Sequence, residues 1–413
     1  MKERNNMKKL IALALALLLI VSGFAYADEE KSELSFLRIG NDEPERLYWA
    51  WVIDEFEKAN PDIDIQYEEA AIGDPMETVL NTRFASGEGV DIIGHGILSV
   101  AQRAEANQYM PIDEYFEAWE GKDDIMPAVL ANGTYNEHVY GLGYSVTPYV
   151  FAYRIDVLEE AGIDVPTSWD DLADAARELT VKNEMGEVEF SGFCYPQTGG
   201  NLVELDVFVY GNGGKYIEDG EPVFAENEQV SEALSFLAEL LPDVNMTYSS
   251  NEVNPFVKGS AAMTLINNAA LTTMLNNPEY EGKVGVALPP NNGTEASFCG
   301  CNMLFIGSKC KNPDAAFRFI SFALSAESTL KRAEMTKIPV TRQSLVEAYA
   351  QMDPWNYARS MCVTYGTGMP RVIWSTGFQT IRNELSQNAV FGGMDPMEAL
   401  EKAQADIEFR ING

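Results

Sequence analysis

The chain has 413 residues, with 63 Asp and Glu against 29 Lys and Arg, two histidines, five cysteines and 46% apolar residues. A net charge of −34 excludes a surface built to grip nucleic acid or an anionic membrane, because phosphate contacts need clustered Lys and Arg. The two histidines and the single close pair Cys299-Gly300-Cys301 fall short of a structural zinc site, and the length calls for two domains rather than one core.

Met1 to Ala27 reads as a cleavable secretory signal. Lys2, Arg4, Lys8 and Lys9 make a positive start, Leu10 to Val21 is apolar, and Ala25-Tyr26-Ala27 places small residues where a signal peptidase cuts. The apolar run is short for a membrane span of about 20 residues. No Cys follows it to carry a lipid, so the mature chain is expected to be free in a periplasm or outside the cell. Leu34 to Ile39 then alternates as a strand, and Gly40 to Glu45 is a polar loop. A helix is predicted from about Arg46 to Lys58, ending at Asn60-Pro61, and Ile63, Ile65 and Tyr67 alternate again. That order predicts a parallel crossover unit. A helix near Met76 to Phe84 and a buried strand Val90 to Ile93 extend it.

From Tyr135 to Leu172 the punctuation is dense. Gly141 and Gly143 lead into an aromatic strand, Tyr149 to Tyr153, and then a short helix with Val157, Leu158 and Ala161 on one face. Gly162 stands where a helix ends in a left-handed residue. Pro166 breaks the chain, and Thr167 or Ser168 can cap the next helix, with Asp170 and Asp171 at its positive end. Gly-rich loops follow at Gly199-Gly200 and Gly211 to Gly214, and Leu234, Leu237 and Leu241 share a helical face. Cys301 and Cys310 could meet across a hairpin, but with five cysteines the pairing stays open. No G-x-S-x-G, H-E-x-x-H, P-loop or dinucleotide glycine pattern is present, so an enzyme reading has only chance carboxylate pairs such as Asp42-Glu43 to stand on.

The ordered residues Tyr153, Asp156, Leu158, Ala161, Gly162, Pro166, Trp169 and Leu172 resemble the hinge-crossing segment of bacterial extracellular solute-binding proteins of ABC importers, the maltose-binding-protein-like group. FEKANPDIDIQYEEA resembles that family's opening segment, Phe256 to Met263 its second-domain "F.kGkaAM", Val284 to Pro290 its return strand, and Gly392 to Gln404 its closing helix. The resemblance implies an α/β fold of the type II periplasmic-binding kind. Each of its two lobes is a mostly parallel sheet flanked by helices, with a cleft between them. It implies residues 28–146 plus 287–345 for the first lobe and 147–286 plus 346–413 for the second. It also implies a monomer without cofactor or metal that captures a solute and delivers it to permease subunits.

Site candidates come from loops at the predicted strand ends and from the family's cleft positions. They are Asn41, Asp42 and Glu43 after the first strand, His95 after the third, and Tyr144, Thr147 and Tyr149 beside the hinge. Tyr195 falls where the family puts a stacking aromatic, Asn267 and Asn268 follow Met263, and Trp355, Arg371, Trp374 and Phe378 lie where the chain returns to the cleft. Rings stack on sugar CH faces while carboxylates and amides bond hydroxyls. Tyr195 and Trp374 are expected to stack on the ligand and Asp42 or Glu43 to anchor it. Trp119 and Trp169 are expected in the core. Three family tryptophans are replaced by His95, Ala269 and Gln379, which argues against a maltodextrin-type site. Carbohydrate leads as the ligand class, with polyamines the alternative, since acidic and aromatic pockets also suit cations.

Overall fold

A computed structural model describes residues 31–412 apart from 201, 219, 226 and 276; the expected signal, 1–27, lies outside the described residues. The chain opens with β1 (Ser32–Ile39), α1 (Glu43–Ala59), β2 (Ile63–Ala70), α2 (Asp74–Ser86) and β3 (Ile92–Gly96). These three strands are parallel, with β1 in the middle and Phe36 opposite both Tyr67 and Ile92. α3 (Ser99–Glu105) follows, then β4 (Gly141–Pro148) and, after Tyr149 alone, β5 (Val150–Arg154). β4 and β5 belong to different sheets.

The second sheet is built from β5, β6 (Val188–Cys194), β7 (Ala261–Ile266) and β8 (Val284–Ala287), with the short strand Val181–Lys182 at its edge. Its helices include α4 (Trp169–Leu179), α5 (Glu204–Gly211) and α6 (Glu228–Val244). The chain then returns to the first sheet through β9 (Ser297–Ile306), which lies antiparallel to both β3 and β4. α7 (Pro313–Ala323), α8 (Asn356–Thr364), the two-residue β10 (Gly366–Thr367) beside β9, α9 (Ser375–Leu385) and α10 (Pro396–Asn412) complete it. The expected α/β architecture of two sheets flanked by helices is observed, but the sheets are mixed rather than mostly parallel. In the second only β6 and β7 pair in parallel, while β5 lies antiparallel to both β7 and β8 and the edge strand antiparallel to β6.

Local chemistry explains the boundaries. α1 starts three residues before the predicted Arg46, because Asp42 Oδ1 accepts the Glu45 amide at 3.0 Å and Pro44 fits the first turn. Ser168 caps α4 in a reciprocal box: its hydroxyl accepts the Asp171 amide at 3.1 Å, while Asp171 accepts the Ser168 amide at 3.0 Å. Gly162 closes the preceding helix at φ 70°, as its place in the sequence predicts. Leu234, Leu237 and Leu241 are all buried on α6. The five cysteines are free. Cys299 and Cys301 lie two apart on β9, while Cys310 lies beyond the end of that strand, so no hairpin joins Cys301 to Cys310. Among the described residues no helix is long and apolar enough to cross a membrane, and no His, Cys, Asp or Glu cluster could hold a metal ion.

Each sheet has its own aromatic core. In the first, Phe36 meets Trp49 edge-on at 5.0 Å and Phe319 at 5.5 Å. In the second, Trp169 stacks on Phe236 at 4.7 Å, and Phe193 and Phe208 pack beside it. The helix α4 presses so closely on β6 that a Cβ on Gly192 would lie 1.9 Å from the Ala176 carbonyl oxygen. Gly192→Ala must therefore push helix from sheet. It is expected to cost about 1–3 kcal/mol in chemical denaturation, and an unchanged midpoint would contradict this packing.

Candidate functional site

The strand directions place the site. β2, β1 and β3 run parallel, and β4 runs with them, so Ala70, Ile39, Gly96 and Pro148 end at one edge of the first sheet. β5 begins at Val150 opposite Ile266, the last residue of β7, and β6 runs parallel to β7. The carboxyl ends of both sheets therefore face each other across Tyr149. This is the crevice where open α/β sheets hold ligands.

On the side of the second sheet the crevice deepens into a cavity of about 570 Å³, lined by Tyr149, Glu204, Tyr248, Asn254 and Asn267 among others. Tyr149 is held by its amide, which donates to the Phe298 carbonyl at 2.8 Å, and by an edge-on contact with the Phe298 ring at 5.8 Å. Asn267 sits immediately before the helix that follows β7, where its side-chain oxygen accepts the Ala270 amide at 3.2 Å. Glu204 opens α5 and is 7% exposed, and its Oε2 has no hydrogen-bond partner. Burial lifts its carboxyl to about 7. Two residues on, Asp206 is lifted by burial to about 6, and the Arg382 guanidinium at 2.8 Å keeps it ionised at neutral pH. A buried carboxylate oxygen with no donor is costly unless a ligand supplies one.

The sequence candidates separate into groups. Tyr149 and Asn267 line this cavity. Asn41 is exposed after β1, and the half-buried Thr147 is the penultimate residue of β4, so both stand at the facing edge. His95 is at that edge too, but its side chain is committed: Nε2 lies 2.9 Å from Glu77 and Nδ1 accepts the Gly96 amide at 2.8 Å. Arg371 and Trp374 line a different cavity, about 900 Å³, between the hairpin 134–139 and the segments 210–217, 220–221 and 365–374.

The remaining candidates need correction. Asp42 caps α1 through its Oδ1, so that carboxylate is partly committed to the helix end, while Glu43 is exposed in the first turn at the same edge. Tyr144 is buried in the first core, edge-on to Trp49 at 5.1 Å. Tyr195 is fully buried, with its hydroxyl 3.3 Å from Ser386 Oγ, and cannot stack on a ligand. Asn268 accepts from Arg359. Trp355 donates its Nε1 to the Val284 carbonyl at 3.0 Å as a prop under β8. Phe378 is fully buried against Tyr216 at 5.1 Å. Family spacing finds these positions but cannot tell a ring that faces the cleft from one that faces the core. Glu204 was missed, yet it carried a signal. In LVELDVFV, Leu202 to Val209, two carboxylates interrupt an otherwise apolar run, which is the mark of buried acids.

The Glu77 carboxylate is held at about 2, below the ordinary 4.5, first by the hydrogen bond from His95 and then by Arg103. With the folded value depressed, its contribution to stability is fully present above about 4.5 and is lost as pH falls toward 2. Glu77→Gln should flatten that limb of a stability-versus-pH curve. An identical limb in the variant would contradict the contact.

The family model of the bacterial extracellular solute-binding proteins matches residues 41–329. An arabinooligosaccharide-binding protein of Bacillus subtilis (strain 168) is 25% identical over 304 residues, covering 69% of this chain and 68% of its own. The putative ABC transporter periplasmic-binding protein YcjN of Escherichia coli (strain K12) is 20% identical over 332 residues, covering 78% and 75%. Among solved structures, the sugar-binding protein MalE of Xanthomonas citri aligns with a TM-score of 0.81 at 18% identity, over 92% of this chain and 98% of its own. The GacH receptor of Streptomyces glaucescens aligns at 0.74 and 21%, over 92% and 98%. At these identities the structures speak for the fold alone. The family match, which spans well over half of the sequence and is met by the same two-sheet topology, carries the assignment: the chain belongs to the bacterial extracellular solute-binding proteins.

Proposed function

We propose that the exported chain acts as a monomer that captures a carbohydrate between its two lobes, closes on it and delivers it to the permease subunits of an ABC importer, with no chemistry of its own. The observation that carries this reading is the cavity at the carboxyl end of the second sheet, in the crevice between the sheets, where Glu204 Oε2 has no hydrogen-bond partner and stands beside Tyr149 and Asn267. A sugar suits that wall: its hydroxyls donate to the carboxylate and amide oxygens, and its CH face lies on a tyrosine ring. The names of similar proteins support the class, from the arabinooligosaccharide-binding protein to structures described with acarbose, tagatose and cycloalternan. Polyamine binding is the second reading, favoured by Glu204 and Glu252 on the same wall.

The lobes are residues 28–146 plus 287–345 and 147–286 plus 346–413. The change of sheet between Pro148 and Val150, and again between Ala287 and Ser297, supports crossings within a residue or two of those bounds, while β10 returns briefly to the edge of the first sheet. Closure is taken up at Ser145–Pro148 and Val286–Leu288. The signal at 1–27 and the lack of a following Cys support a chain free in the periplasm or released. Small-angle scattering with and without an arabino-oligosaccharide at saturation tests closure: the radius of gyration should fall on binding, and binding without compaction would contradict it.

A further inference from the structure

We infer that the protein has a second ligand site, for a small ring-bearing monocarboxylate, in the cavity around Arg371. That cavity measures about 900 Å³ and shares no lining residue with the one around Glu204. The two lie at opposite ends of α5. Glu204 opens the helix and lines one, while Tyr210, roughly 9 Å further along, lines the other.

The motive is an uncompensated cation in a strongly acidic protein. Arg38, Arg332 and Arg382 each have a carboxylate partner in the fold. Arg371 is half-buried, and among the described residues no carboxylate stands within ion-pair distance of it. Burial depresses its pKa, with only Tyr210 opposing. A guanidinium drawn out of water without an anion is a standing cost, and a planar carboxylate relieves it through paired N–H donors. Beside Arg371 the half-buried rings of Trp374 and Tyr210 line the same cavity and offer flat apolar faces for the body of the ligand.

The rim sets the charge. Glu137, Glu221 and Glu295 line the cavity and are all exposed, and among the described residues Lys215 is the only other cation in its walls. The described walls carry three carboxylates against two cations, so a single carboxylate paired with Arg371 is held by one close contact, whereas the second charge of a phosphate ester adds repulsion from the rim. The cavity therefore selects a monocarboxylate over a phosphate ester. Sugar acids and aromatic acids share this chemistry.

Titration calorimetry of the full chain with D-glucuronate and with benzoate separates the two sources, with D-glucose, benzyl alcohol and glucose 6-phosphate as controls. At least one acid should bind with one-to-one stoichiometry, at least tenfold more tightly than its neutral counterpart and than the phosphate. Arg371→Gln should weaken that acid at least tenfold, Arg371→Lys should weaken it less, and Glu204→Gln should leave it unchanged. Four results would overturn the assignment: no binding of either acid by the wild type, equal binding of a neutral analogue or of the phosphate, indifference to Arg371→Gln, or loss of the acid in Glu204→Gln. Because the controls are read on the wild-type chain, a poorly folding variant does not shelter the proposal. Carbohydrate capture in the other cavity stands or falls separately, on Glu204.

Discussion

Replacing Arg382 by Met is expected to destabilise the protein by about 3–5 kcal/mol, the largest effect of any single polar substitution in the second lobe. Arg382 and Asp206 are both 0% exposed, and the guanidinium donates to Asp206 at 2.8 Å. The same guanidinium lies over the Phe378 ring at 5.9 Å and joins α9 to α5. Removing it leaves a carboxylate in the core, which must take a proton or draw in water. The pair itself is not the source of the expected loss; the stranded partner is. Adding Asp206→Asn to Arg382→Met should therefore recover part of the stability, since an amide is cheaper to bury than an unpaired charge. Urea denaturation of the two single variants and the double variant measures this directly. A double variant as unstable as the sum of the singles would show that shape, not charge, dominates the site.

Glu204→Ala is expected to weaken sugar binding by about 1.5–3 kcal/mol, roughly 10- to 150-fold in Kd, the range for hydrogen bonds to a charged group. Its pH signature separates a binding role from a structural one. In the folded protein Glu204 titrates near 7 rather than at the ordinary 4.5, because it is buried. The folded chain therefore keeps a proton that the unfolded chain has released, so this group lowers stability as pH rises above about 4.5, and the loss is complete above about 7. Glu204→Gln should remove that decline. Hydroxyl donors from a bound sugar favour the ionised form, so binding near pH 6 to 7 should release a proton from the wild type and none from Glu204→Gln. Calorimetry in buffers of different ionisation enthalpy reads the proton count. Equal proton release in both proteins would contradict the role assigned to Glu204.

Much of the architecture was legible in the sequence because it is local. Alternation at Ile63, Ile65 and Tyr67, the cap at Ser168 and the left-handed Gly162 are each decided within a few residues, and each appears where the sequence places it. The start of α1 was placed late because Asp42 reads equally as a polar loop residue and as a cap, and only the Glu45 amide decides between them. The site was less legible for a physical reason. Tyr149 and Tyr195 are both tyrosines just past a strand or between strands, yet one borders the crevice and the other is sealed beneath α9 and its continuation by Ser386. Which way a ring turns depends on packing from segments nearly two hundred residues away. Glu204 shows the reverse: the charge inside an apolar run was visible, but its meaning required knowing that the run lies at the carboxyl ends of β6 and β7.

The central claim is that the crevice at Tyr149, Glu204 and Asn267 holds a carbohydrate. Titration calorimetry of the mature chain with neutral arabino-, manno- and malto-oligosaccharides, alongside spermidine, tests it most directly. Saturable one-to-one binding of at least one neutral oligosaccharide, weakened at least tenfold in Glu204→Ala, is the predicted result. Tight binding of spermidine with no response to any sugar, or sugar binding indifferent to Glu204, would contradict it.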